Sequence, residues 1–215
     1  MEPEQRITAI EVQEKRGNRR SIFLDGKFAL GVDEAVVGDL ALHVGQRIGE
    51  EELRQIVRAE LIKTAKERAL KLLEYRPRSR SEISRRLGRA GFAEDVVEET
   101  LTRLEDLGLI DDAKFSESWV SHRLAGKGMG KSRIKWELRL KGVPTDVAEE
   151  ALSAVDAETE YRLALDVAGR RWQKDRSPDL YARRRKLTSF LRRHGFGWET
   201  IDRVLNELTS EAEPE

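Results

Sequence analysis

The sequence predicts a mainly α-helical protein of three tandem three-helix repeats, preceded by a small β-containing segment. Three observations carry this. Apolar residues recur in one fixed series, started by Ile83, Ile134 and Leu187, which lie 51 and 53 residues apart. Charge alternates in blocks, although 40 basic and 40 acidic side chains in 215 residues cancel to a net charge of zero. The first 60 residues differ from the rest, because their apolar side chains alternate at period two.

In chain order, Ile10 and Val12, then Ile22 and Leu24, then Phe28, Leu30 and Val32 predict a three-stranded meander. Arg16-Gly17-Asn18 and Asp25-Gly26 interrupt it, and the second is a strong two-residue hairpin signal. A short helix over Glu34 to Leu42 follows, and Gly45 and Gly49 punctuate the route to the next element. From Glu50 the pattern turns helical and meets no breaker until Tyr75, just before Pro77. The tail Glu211–Glu215 is expected to fray.

The repeats then run in register. Four residues after the starting positions come Leu87, Leu138 and Leu191, and eight after come Gly91, Gly142 and Gly195, followed by Phe92, Val143 and Phe196. The series continues with Val97, Ala148 and Ile201, then Leu101, Leu152 and Leu205, and closes on Leu104, Val155 and Leu208. The i, i+4 pair puts one stripe on a short helix, which the glycine ends with a left-handed cap. The later spacing is a second amphipathic stripe. Upstream of each unit lies a third: Ala69, Leu72 and Leu73; Phe115, Trp119 and Leu124; Tyr161, Leu165, Ala168 and Trp172. Ser79 with Glu82 fits a capping box, and Asp111 or Asp112 suits the start of the second unit. The predicted divisions are a β-containing segment over 1–60 and repeats over 61–110, 111–157 and 158–210.

Charge follows the same period. Residues 61–93, 113–144 and 161–198 carry +7, +6 and +8, and each is followed by an acidic block of −7, −6 or −5. Several classes of protein are excluded. No cysteine is present, so disulfides, thiolate metal sites and cysteine nucleophiles fall away. The opening MEPEQRITAIEVQEKRG has no signal-peptide pattern, and no apolar run approaches membrane-spanning length; a cytoplasmic protein is expected.

Catalytic motifs fail one by one. In Ala125-Gly126-Lys127-Gly128-Met129-Gly130-Lys131-Ser132 the position of the first Walker glycine is alanine, and a helical stripe leads in where a phosphate cradle needs a strand. His43, His122 and His194 are isolated, Asp111-Asp112 reads as a cap, and Ser121 beside His122 falls on a helix where neighbours diverge. No enzyme, metal or cofactor is expected.

The basic connectors are more informative. Arg76, Arg78, Arg80, Arg85, Arg86 and Arg89 crowd the first unit; Lys127, Lys131, Arg133, Lys135, Arg139 and Lys141 occupy the same region of the second. In the third unit Arg170, Arg171, Lys174 and Arg176 precede Arg183, Arg184, Arg185, Lys186, Arg192 and Arg193. Such runs suit a polyanion or an acidic protein groove. Major-groove reading by the last helix of each unit is disfavoured, because those helices carry Glu94, Asp95, Glu98 and Glu99; Asp146, Glu149 and Glu150; Glu199, Asp202 and Glu207. Trp119 and Trp172 are expected in the core, and Trp136 and Trp198, among polar residues, at an exposed contact or an inter-repeat position.

The residues Ala69-Leu70-Lys71-Leu72-Leu73 with Arg76 and Ser79, then Glu82-Ile83 and Leu87 to Gly91-Phe92, resemble the opening repeat of RecX regulators. So do Leu107-Gly108-Leu109-Ile110-Asp111-Asp112 leading to Phe115, then Gly128, Gly130 and Ile134, Glu137-Leu138 and Lys141-Gly142-Val143. The resemblance covers residues 64–208 and is loosest in the third repeat. It implies a curved array of repeats that lodges in the groove of the RecA–DNA filament and restrains its extension and strand exchange, with no catalytic residues. The contact is expected on the connectors named above, with single- or double-stranded DNA as a further ligand of the basic faces and a monomeric protein. A nucleic-acid-binding module acting without RecA is the alternative.

Overall fold

The computed structural model describes residues 4–14 and 16–210, so the predicted fraying tail at 211–215 lies outside the described residues. The chain forms two compact units. One runs up to Arg76 and includes Ile83–Leu109; the other joins Pro77–Glu82 to the chain from Ile110 onward.

In the first unit, β1 (Gln5–Gln13), β2 (Arg16–Leu24) and β3 (Lys27–Asp33) form the expected antiparallel meander. The alternation directs Ile7, Ile22, Leu24 and Val32 inward, against Val36, Leu42, Ile48 and Ile56. Asp25 and Gly26 take φ of 48° and 80°, which gives the two-residue β2–β3 turn its left-handed geometry. Two expectations need correcting. Gly17 and Asn18 lie inside β2, with Gln13 paired to Arg16, and Asn18 Nδ2 donates to Asp33 Oδ2 at 3.2 Å. A fourth strand, β4 (Arg47–Ile48), pairs with Gln5 and Arg6, giving the order β3-β2-β1-β4.

Helix α1 (Glu34–Asp39) is shorter than expected; Asp33 caps it by accepting from the Ala35 N–H at 2.9 Å. Helix α2 (Glu50–Tyr75) runs for 26 residues, about 39 Å at 1.5 Å per residue. It stops where the sequence says it should, because Arg76 is extended (φ −166°, ψ 157°) ahead of Pro77. Helices α3 (Arg80–Arg89) and α4 (Glu94–Asp106) follow, and Arg58 on α2 pairs with Asp95 and Glu99 on α4. Part of the acidity of this last helix is therefore internal pairing.

The second unit holds α5 (Asp112–Lys127), α6 (Lys131–Leu140), α7 (Thr145–Ser153), α8 (Ala157–Lys174), α9 (Leu180–His194) and α10 (Trp198–Ser210). Ile134, Leu138, Val143, Ala148, Leu152 and Val155 share one core with Phe115 and Val120. Leu187, Leu191, Phe196, Ile201, Leu205 and Leu208 share another with Tyr161, Ala164 and Ala168. These are the residues of the periodic series, so the period is a period of burial.

The three repeat glycines do the same job. Gly91, Gly142 and Gly195 have φ of 91°, 76° and 87°. In each case the next N–H reaches back to close the helix: Phe92 to Leu87 O, Val143 to Leu138 O and Phe196 to Leu191 O, at 3.3, 3.1 and 3.2 Å. The capping box also forms, with the Glu82 N–H donating to Ser79 Oγ (3.2 Å) and the Ser79 N–H to Glu82 Oε2 (3.3 Å). Asp111 caps α5 through the Lys114 N–H at 3.0 Å, while Asp112 accepts from the Arg80 N–H at 2.8 Å.

Candidate partner-binding surface

The glycine-rich connector between α5 and α6 leaves no opening for a nucleotide. Gly128 ends α5 in the left-handed conformation and Gly130 caps α6. The N–H groups that a phosphate would need are already used. Those of Gly130, Lys131 and Ser132 donate to His194 O, Glu160 Oε1 and Gly195 O at 2.8, 3.0 and 3.2 Å. A Cβ on Gly195 would sit 2.3 Å from Arg133 N, and one on Gly130 would sit 2.5 Å from Gly195 O. The connector is a backbone-to-backbone seam between the second and third repeats. Among the described residues, no group of three His, Asp or Glu side chains is placed to hold a metal.

The basic residues divide by environment. Arg78 is buried at 8% exposure, so it is not part of an exposed basic face. Lys141 is half-buried; its Nζ lies 3.3 Å from Glu82 and 4.1 Å from the Trp119 ring centre. Arg123 lies 4.2 Å from the same ring centre; its Nε donates to Glu137 Oε2 at 2.6 Å, and Trp119 Nε1 donates to the same oxygen at 3.1 Å. Trp119 is therefore a polar-edged wall of the core around Phe115 and Ile134 and not a fully buried member. Arg183 is similarly engaged: its guanidinium covers Trp172 at 3.8 Å and donates to Trp172 O at 3.0 Å. Lys135 pairs with Glu149 at 2.5 Å, and Arg133 Nε lies 3.6 Å from Glu137 Oε1.

Others face water. Arg85, Arg86 and Arg89 are exposed on α3 in the first unit. In the second unit Lys127, Arg139, Arg185, Arg192 and Arg193 are exposed, while Arg184, half-buried, donates to Thr209 Oγ1 at 3.0 Å. Arg76, Arg80 and Lys131 are half-buried at helix ends.

The structure brings two of these groups together. Met129, Ser132, Arg133 and Trp136 face Arg192, Arg193, His194 and Gly195 across a groove of about 570 Å³. A second groove, of about 590 Å³, runs along α9, lined by Tyr181, Arg184, Arg185, Thr188, Ser189, Arg192, Arg193 and Leu205. Arg192 and Arg193 belong to both, and neither lining contains a carboxylate. Asp111 and Asp175 lie outside both linings; backbone N–H donors from Lys114 and Ser177 hold their carboxyls below the usual range. Sequence reasoning missed Tyr181 and Ser189. Their signal was helical spacing, since 181, 185, 189 and 192 fall on one face of α9. The two tryptophans placed among polar residues are both exposed, Trp136 at 46% and Trp198 at 57%.

Comparison with known proteins follows the same division of the chain. The regulatory protein RecX N-terminal domain matches residues 5–49, and the first, second and third RecX three-helix domains match 65–104, 111–152 and 158–205. The regulatory protein RecX of Clostridioides difficile (strain 630) is 31% identical over 202 residues, covering 94% of this chain and 95% of that protein. That of Bacillus subtilis (strain 168) is 30% identical over 205 residues, covering 95% and 78%. A crystal structure of regulatory protein RecX superposes with a TM-score of 0.80 at 29% identity, covering 94% of this chain and 99% of the other. The crystal structure of RecX from Lactobacillus salivarius gives 0.64 at 28% identity over 70% of this chain and 98% of the other.

Proposed function

The chain belongs to the RecX family of regulatory proteins, and from that premise we propose that it binds the RecA nucleoprotein filament and restrains it. The action is non-catalytic: the protein limits filament extension, strand exchange and the ATPase by occupancy alone. It works in the cytoplasm as a monomer, with the four segments 1–60, 61–110, 111–157 and 158–210 as its working divisions.

The observation that carries the choice of surface is the carboxylate-free basic lining along α9. An arginine already neutralised by a carboxylate neighbour gains little from a new anionic partner, whereas Arg185, Arg192 and Arg193 enter no ion pair among the described residues. Arg78 and Lys141 stay outside the proposed contact, because reversing them would disturb packing before it touched a partner.

The test is RecA strand exchange and ATP hydrolysis with and without the protein, then with Arg185, Arg192 and Arg193 all changed to Glu. Inhibition by the parent protein should weaken on the order of tenfold or more in the triple variant, with helix content unchanged. Salt should weaken it as well, because exposed charge is screened. Equal inhibition by both proteins would overturn the assignment of the surface; no effect of the parent protein would overturn the regulatory reading. The same lining also favours a second reading, a nucleic-acid-binding module that acts without RecA. Equal affinity for bare and RecA-coated DNA would select it.

A further inference from the structure

Trp136 and Trp198 belong to neither of the two cores described in the second unit, yet each is held in a defined position. The Arg133 guanidinium lies 4.3 Å from the Trp136 ring centre, and the Arg192 guanidinium lies 4.7 Å from the Trp198 ring centre. The two guanidiniums are on opposite walls of the groove between α6 and α9. Exposure of 46% and 57% leaves much of each indole ring open to a planar partner. The second groove, which shares Arg192 and Arg193 with the first, runs along α9 to Ser189, Arg185 and Tyr181, the last 76% exposed. Tyr181 to Arg192 is 11 residues, about 16 Å of helix.

We propose that the α6–α9 groove and the adjoining α9 groove bind a single nucleic-acid strand, with bases stacking on Trp136 in the first groove and on Trp198 beside Arg192, and phosphates lying along Arg185, Arg192 and Arg193. The inference rests on the reading that this basic face is a contact surface, and it adds the chemistry of what is held there. Flat exposed rings interleaved with cations match a strand that presents π-faces and phosphates in alternation. A duplex keeps its base faces stacked inside and offers the indoles nothing. An acidic peptide would pair with the arginines but would leave the ring faces without a planar partner. The guanidinium stacked on each ring adds a third element, since it can contact a phosphate while its face stays on the indole.

The experiment uses the full chain without recombinase, so its outcome is independent of any effect on RecA. Oligothymidylate of about 15 nucleotides is titrated against intrinsic tryptophan fluorescence, beside a duplex of equal length and polyglutamate at the same salt. Oligothymidylate should quench and bind most tightly. Trp136→Ala and Trp198→Ala should each lose affinity by about 5- to 100-fold. Trp136→Phe and Trp198→Phe, which keep a ring, should bind within a few-fold of the parent with part of the quenching gone. Alanine variants that bind like the parent would overturn the proposal, as would a duplex bound equally well. Quenching by polyglutamate with none by oligothymidylate would overturn it in favour of an acidic protein segment.

Discussion

Replacing Gly195 with alanine should destabilise the second unit far more than the same change at the equivalent glycine of the first repeat. Both residues end a helix in the left-handed region, with φ of 87° at Gly195 and 91° at Gly91. A Cβ there costs about 1–2 kcal/mol for an L-residue, offset by up to about 1 kcal/mol of lost unfolded-chain freedom. At Gly91 a Cβ would meet nothing within 4 Å, so the cost ends there, at about 1 kcal/mol. At Gly195 it would meet Arg133 N and Cβ at 2.3 Å, and these atoms sit on the first turn of α6 and have no room to withdraw. Overpacking of this kind costs about 1–3 kcal/mol. Separating the strands of the seam also weakens the bonds from the Gly130 N–H to His194 O and from the Ser132 N–H to Gly195 O, about 1 kcal/mol each. The expected total is about 4–6 kcal/mol. Urea denaturation followed by tryptophan fluorescence measures it cleanly, because all four tryptophans (119, 136, 172 and 198) lie in the second unit. Far-UV circular dichroism reports on both units. A Gly195→Ala fluorescence midpoint no lower than that of Gly169→Ala, a helical site whose Cβ would meet nothing within 4 Å, would refute the seam.

Ser79→Ala removes both the cap of α3 and a 2.6 Å bond to Lys141 O from a fully buried hydroxyl, and should cost about 2 kcal/mol by urea denaturation. Glu137→Gln leaves Arg123 without its carboxylate partner, which should lower the second-unit stability by about 2–4 kcal/mol while Trp119 emission changes first. Acid should loosen helix starts in a defined window. Asp111 and Asp156 are lowered by the backbone N–H groups of Lys114 and Thr159, so their stabilisation is complete above the ordinary carboxylate pKa and disappears as pH falls through their lower folded values. Helix content should therefore hold at pH 6 and decline below about pH 4, and Asp111→Asn should flatten that decline.

The repeats were legible because the signals that make them are local. A glycine eight residues past an apolar anchor encodes a turn whose bonds close within six residues, so Leu87–Phe92, Leu138–Val143 and Leu191–Phe196 could be read without any fold. Strand β4 could not, since two residues, Arg47 and Ile48, owe their conformation to Gln5 and Arg6 some forty positions earlier. Gly17 and Asn18 misled for the same reason: as turn-formers they suggest a break, but pairing across the sheet holds them in β2. On the surface, charge counting marks the basic stretches but does not sort buried from exposed side chains. Arg78 and Lys141 look like Arg192 and Arg193 in sequence, and only packing separates the two that are folded in from the two that face water.

The first turn of α3 bears on how such a protein can be cut. Its ends are satisfied from downstream: Arg80 N–H by Asp112, 32 residues on, and Ser79 Oγ by the Lys141 carbonyl, 62 residues on. The start of this helix is thus completed by residues that come later in the chain. Shortened versions trimmed at residue 110 would strip α3 of both acceptors. A copied unit therefore needs a carboxylate at this place in the copy that follows it, as Glu160 supplies to the Lys131 N–H at 3.0 Å one repeat on.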